Sequence, residues 1–167
     1  MSLSMYQASV PTFVRVLGNL SAILDKAVAD AEARKIDPQA FLTARLAPDM
    51  HPLTRQVQIM SDGVKGCVAR LAGIEAPSFP DTETTFPELK ERIAKTVAFV
   101  KSVKADQIDG SETRNIKLTF PGGEFNFTGQ DYLLNFALPN VYFHTTAAYA
   151  ILRHNGVPVG KRDFLGA

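Results

Sequence analysis

A chain of 167 residues has room for one compact domain, and 46% apolar with 21% charged residues is the balance of an ordinary globular protein. A net charge of +1, with no Lys/Arg cluster, argues against nucleic-acid binding, and no stretch is long and apolar enough to span a bilayer. The single cysteine, Cys67, rules out an internal disulfide and fits a reduced, cytoplasmic setting; the N-terminal residues lack the basic and apolar regions of a secretory signal.

The first predicted helix runs from about Ser4 to Arg34. Tyr6, Val10, Phe13, Leu17, Leu20, Leu24, Ala27 and Ala31 recur at steps of three and four, which places them on one stripe. Pro11 falls inside that stripe, so the helix is expected to start near Ser9 or to kink there. Between Ile36 and Ala47 a short helix is expected, with Asp37 as N-cap and Pro38 at its first position. A second long helix is predicted from about His51 to Ala72, with Pro52 in the first turn and Gly73 as C-terminal cap. Its stripe is Leu53, Val57, Met60, Val64, Cys67 and Leu71, which makes Cys67 a buried structural residue.

After a proline-rich loop, Glu75 to Thr84, a third helix begins at Thr85. Glu88 three residues on gives a capping-box spacing, and the stripe continues through Phe86, Leu89, Ile93, Val97 and Val100. Lys104 to Asn115 reads as a polar loop. Ile116–Phe120 and Glu124–Thr128 alternate around a turn and predict a β-hairpin. The fourth helix runs from near Thr128 to about Asn155, with a bend expected at Asn135–Pro139 because Pro139 has no N–H to donate. The remainder, from Val157, shows no helical period. The expected fold is a single all-α domain over residues 1–167, a four-helix bundle with a small β-hairpin between helices 3 and 4.

No zinc-protease, redox-cysteine, P-loop or dinucleotide fingerprint is present. Attention falls on three histidines. On the fourth helix His144 and Asn140 are four residues apart and share a face, the geometry of two ligands inside a bundle. That placement also suits a buried imidazole hydrogen-bonded to Asn or a backbone carbonyl. His154, in the last turn, reads as a surface or capping residue. His51 projects away from the apolar stripe of the second helix. Gln56 flanks that stripe, about 60° from its centre at about 100° per residue, and can face a pocket; Gln58 and Asp62 project to the far, solvated side. Pocket candidates are therefore His144, Asn140 and Gln56, expected around one small cavity.

The segments L-P-N-V-Y-F-H-T-T-A-A-Y-A-I-L-R-H-N-G-V-P-V-G-K-R-D-F-L-G, D-M-H-P-L-T-R-Q-V-Q-I-M-S-D and F-x-E-L-x-x-R-I-x-K-T resemble an uncharacterised bacterial family within the DinB/YfiT-like superfamily of metalloenzymes. The resemblance covers nearly the whole chain. It implies a four-helix bundle that is often dimeric, with a divalent metal held by one histidine from helix 2 and two from an H-x-x-x-H on helix 4. Some relatives are thiol-dependent transferases or isomerases. Here His144 matches the second histidine of that motif, Asn140 stands at the first, and Gln56 to Asp62 contains no histidine. His51 is the substitute ligand nearest in sequence, lying a turn or more early.

The resulting expectation is a small-ligand-binding or metal-degenerate DinB-like bundle, with an unknown small molecule as its partner. The alternative is a metal-dependent, thiol-linked transferase or hydrolase using His144, with zinc or nickel as the cofactor; a third reading makes His144 a metal-independent general base. Apolar residues beyond one stripe on helices 1 and 4, among them Ala29, Ala33, Phe143 and Tyr149, suggest a homodimer.

Overall fold

The structure, a computed structural model, describes residues 3–166. It is mostly helical, with one two-stranded antiparallel hairpin. Helix α1 spans Met5–Arg34. Ser4 caps it through a capping box with Gln7, and the helix passes unbroken through Pro11. Both Pro11 and Gln7, whose carbonyl loses its partner, lie on the exposed face. On that face the unpaired carbonyl is open to solvent, so the proline neither delays nor interrupts the helix.

A short helix α2, Gln39–Leu42, follows; the Asp37 carboxylate accepts the Gln39 N–H at 2.9 Å. Helix α3 covers Leu53–Ala72, with Pro52 outside it as N-cap and Gly73 closing it in the left-handed region at φ 69°. Helix α4, Phe86–Ser102, starts from the Thr85–Glu88 capping box. The loop after it holds a single-turn helix α5, Ala105–Ile108, where the polar composition suggested none.

Strands β1, Asn115–Phe120, and β2, Gly123–Thr128, pair with Ile116 opposite Phe127 and Leu118 opposite Phe125. Ile116 and Leu118 are buried, so β1 is the strand that packs on the helices. The last long helix is continuous but not uniform. It opens with a turn α6, Gly129–Asp131, capped by Thr128, passes through a π-helical segment at Tyr132–Ala137, and continues as α7, Leu138–His154. Where a bend is expected from Pro139, the helix carries this π-helical widening: the Leu138 N–H bonds to Leu133 O, five residues back. The widened turn ends immediately before the residue that has no N–H to offer. The chain finishes with α8, Lys161–Leu165, a helical turn that packs on α1.

The predicted stripes meet in one core. Phe13, Leu17 and Leu20 of α1, Leu53, Val57 and Met60 of α3, Leu89 of α4, and Leu133, Val141 and Ile151 of the last helix are fully or almost fully buried. Helix α3 packs mainly against α7 and α4, and α1 mainly against α4 and α8. Part of the surplus apolar surface on the last helix is covered within the chain, because Tyr149 meets Phe164 of α8 edge-on at 5.9 Å.

Candidate functional site

Helices α3 and α7, with the π segment, run antiparallel along one seam. Three pairs mark it: Gln56 with His144, Gly63 with Asn140, and Arg70 with Tyr132. Gln56 and Gly63 lie seven residues apart, two turns of one helix face, and Asn140 and His144 lie one turn apart on the facing surface. The seam thus carries a histidine–amide pair at one end and a guanidinium–phenol pair at the other.

At the histidine end, Gln56 is only 1% exposed, and its amide orientation is fixed. Its Nε2 donates to the backbone carbonyl of His51 at 3.1 Å, and that carbonyl can only accept. Oε1 therefore faces His144, 2.7 Å from Nδ1, and His144 must supply the hydrogen. The neutral ring is then protonated on Nδ1, with its lone pair on Nε2. Burial, followed by electrostatic repulsion from His51 and Arg55, holds the His144 pKa below the usual histidine range. The Phe143 ring packs edge-on against the imidazole at 5.2 Å.

These contacts decide how far the residues suit a divalent metal. Nδ1 is committed as a donor to Gln56, and the Gln56 oxygen is committed in return. Asn140 is directed elsewhere along the seam, and among the described residues no three His, Cys, Asp or Glu side chains converge to hold an ion. One imidazole nitrogen without a second histidine or a carboxylate does not fit a three-ligand zinc or nickel site. His51 reaches this end of the seam through its backbone carbonyl, and its side chain is exposed.

The three pocket candidates do not share one cavity. Asn140 lines a cleft of about 310 Å³ between α3, the hairpin and the π segment, whereas His144 and Gln56 stand outside that cleft, bonded to each other one turn away. The cleft has a local cause in the sequence. A β-carbon at Gly63 would stand 3.1 Å from Asn140 Nδ2, and one at Gly66 would stand 2.5 Å from Arg70 Nη1. Two glycines inside a helix cost about 1 kcal/mol each relative to alanine, and here their bareness admits the Asn140 amide and lets Arg70 fold back across the helix.

Arg70 Nη1 donates to the Tyr132 hydroxyl at 3.1 Å, with the guanidinium 5.9 Å from the ring centre. Burial pushes the Tyr132 pKa up to about 12, so the phenol keeps its proton. The opposite wall is aromatic: Tyr132 stacks on Phe136 at 5.8 Å, and Phe136 lies 6.0 Å from Phe120 of the hairpin. The π turn presents Tyr132 and Phe136, four residues apart, to the same space.

A polar cluster that sequence reasoning missed lies behind this cleft. The Arg92 side chain, 1% exposed, reaches Asp62 at 2.7 Å and both Asp81 and Glu83 at 3.0 Å, and its Nε donates to Ser61 at 3.2 Å. Lys65 joins Asp62 at 2.8 Å, and the Phe79 ring lies against both Lys65 and Arg92. Gln58 donates to Glu83 at 2.8 Å and is 4% exposed, so it is not the solvated residue that helix projection suggested. Asp62, expected in solvent, is half-buried beneath the same network. The loop carrying Phe79, Asp81 and Glu83 covers that face of α3. Burial alone would raise the Glu83 pKa, but hydrogen bonds from Arg92 and Gln58 hold it below the usual carboxylate range. The paired charges clamp the loop to α3 and α4; the only advance sign was an arginine next to the α4 stripe.

Long packed helices with a hairpin inserted before the last of them place the chain among DinB-like proteins. The chain belongs to the family described as a domain of unknown function, DUF1993, whose model matches residues 5–165. It is similar to the crystal structure of a DinB family member protein from Shewanella denitrificans, at 44% identity and a TM-score of 0.89, over 97% of this chain and 92% of that chain. No curated protein matches the chain.

Proposed function

We propose that this protein is a DinB-like four-helix bundle that binds a small organic molecule in the cleft between α3, the hairpin and the π segment, and that its histidine site is metal-degenerate. The observation that carries this reading is the Gln56–His144 hydrogen bond at 2.7 Å. It turns the surviving imidazole into half of a fixed polar pair one turn from the cleft, where a metalloenzyme would gather ligands. The volume, about 310 Å³, lies at the small end of small-molecule sites, and a few polar groups among aromatic walls are the usual lining of such sites. Elemental analysis of protein purified without chelator tests the reading. Substoichiometric zinc and nickel, unchanged by His144→Ala, are expected; stoichiometric metal lost with that substitution would reverse it.

The alternative is a metal-dependent, thiol-linked transferase or hydrolase, and the lone pair left on His144 Nε2 favours it. Such a site would recruit its remaining ligands from outside the chain or from the substrate.

Assembly is part of the same reading. Phe143 is 58% exposed on α7, beside the exposed Tyr142, and a homodimer through this face would cover both. The buried Cys67 and the lack of disulfides suit a cytoplasmic protein.

A further inference from the structure

On the reading of the cleft as a ligand site, we propose that its ligand is a small organic carboxylate bearing a flat, aromatic body. The charge follows from which cations are already neutralised. Asp62, the carboxylate in the lining, accepts on Oδ1 from both Arg92 at 2.7 Å and Lys65 at 2.8 Å, so its charge is balanced by two cations. Lys117 pairs with Glu124 across the hairpin at 2.7 Å. Arg70 alone among the lining cations has no carboxylate partner among the described residues; its one side-chain bond is to a neutral phenol.

Hydrogen-bonding capacity points the same way. Arg70 is a donor throughout, and its Nη1 already fills an acceptor position on the Tyr132 oxygen, which leaves the protonated phenol its own O–H to donate. A guanidinium and a phenol that both offer hydrogens match a ligand end that only accepts, and a carboxylate accepts two such bonds side by side. The stacked Tyr132–Phe136 pair and Phe120 form the adjoining wall, which suits a flat apolar group attached to that carboxylate. Gly66 leaves the Arg70 guanidinium room to lie beside Tyr132, because a β-carbon there would stand 2.5 Å from Nη1.

Amide-resolved NMR titration of the full chain with benzoate, benzyl alcohol and benzylamine, three probes alike in body and different in charge, tests the proposal. Benzoate is expected to shift the amides of Gly63, Tyr132 and Asn140 saturably and to bind about ten-fold or more tighter than benzyl alcohol, with benzylamine weakest. Arg70→Gln, at an exposed position, should remove most of the benzoate preference. Tyr132→Phe removes the second donor with every charge retained and should also weaken benzoate relative to benzyl alcohol, a control should Arg70→Gln disturb the fold. Benzyl alcohol binding as tightly as benzoate, unaffected by Arg70→Gln, would overturn the carboxylate assignment and leave the cleft a ligand site. If none of the three probes shifts those amides, the cleft reading fails and the carboxylate assignment fails with it.

Discussion

His144 Nδ1 stands 2.7 Å from Gln56 Oε1, and the Gln56 amide is held in that orientation by the His51 carbonyl at its other end. The three groups form a chain in which every direction of donation is determined. A histidine that resembles a metal ligand by its place in the sequence is here a hydrogen-bond donor, with its second nitrogen left as an acceptor.

Acid should weaken this arrangement. Burial lowers the His144 pKa in the folded state, so between that value and about 6.5 the unfolded chain binds more protons. Stability is full above about pH 6.5, falls as pH drops through the window below it, and levels off once the folded-state value is passed. Urea unfolding at a series of pH values should show this slope for the natural chain and a shallower one for His144→Gln. Equal slopes would mean that His144 is not the group responsible.

Gln56 offers a sharper change of sign. Gln56→Glu puts a carboxylate beside Nδ1, favours the imidazolium and should raise the His144 pKa above its value in the natural chain, read by NMR titration of the ring. Gln56→Leu leaves the imidazole N–H and the His51 carbonyl without their partner and should cost about 1–3 kcal/mol in urea unfolding. A Gln56→Glu ring that titrates no higher than the natural one would separate the two side chains in solution.

The Arg92 clamp should be a large contributor to stability. Arg92→Met strands Glu83, which is 11% exposed, together with the more open Asp62 and Asp81. Breaking a fully buried pair costs about 3–5 kcal/mol, and solvent at the two aspartates reduces this to about 2–4 kcal/mol. Residues 77–84 should also become the first site of proteolytic cleavage. A loss below about 1 kcal/mol would class the cluster with ordinary surface ion pairs.

Cys67 should be inert. Burial pushes its thiol pKa well up, and no activating base is at hand. A thiol reagent should label it only in denaturant; rapid labelling of native protein would show that α3 opens far more readily than its packing allows.

Much of the fold was legible because helical stripes and caps are local. The α3 stripe from Leu53 to Leu71 and the Thr85–Glu88 capping box follow from residue type and spacing alone. Pro139 marked the last helix for a bend, and the π-helical widening found just before it depends on packing that spacing does not encode. The site was legible only in part. Gln56 and His144 could be placed on inward-facing surfaces, but the pairing of Gln56 with His144, not with Asn140, is set by the stagger of α3 against α7. Gln58 and Asp62 were misplaced because helix projection measures distance from a core stripe. It says nothing of a loop folding over from Phe79 to Glu83 to bury the opposite face. Gly63 and Gly66 carry a cost to α3 that its apolar stripe does not reveal; Gly63 lines the cleft, and Gly66 leaves room for Arg70.

The most direct measurement is a long-range proton–nitrogen NMR spectrum of the His144 ring at neutral pH, before and after one equivalent of zinc. A hydrogen on Nδ1 and a bare Nε2, both unchanged by the metal, are the expected result. A ring protonated on Nε2, or an Nε2 signal that moves to a metal-bound position at one equivalent, would contradict the hydrogen-bonded pair and restore His144 as a ligand.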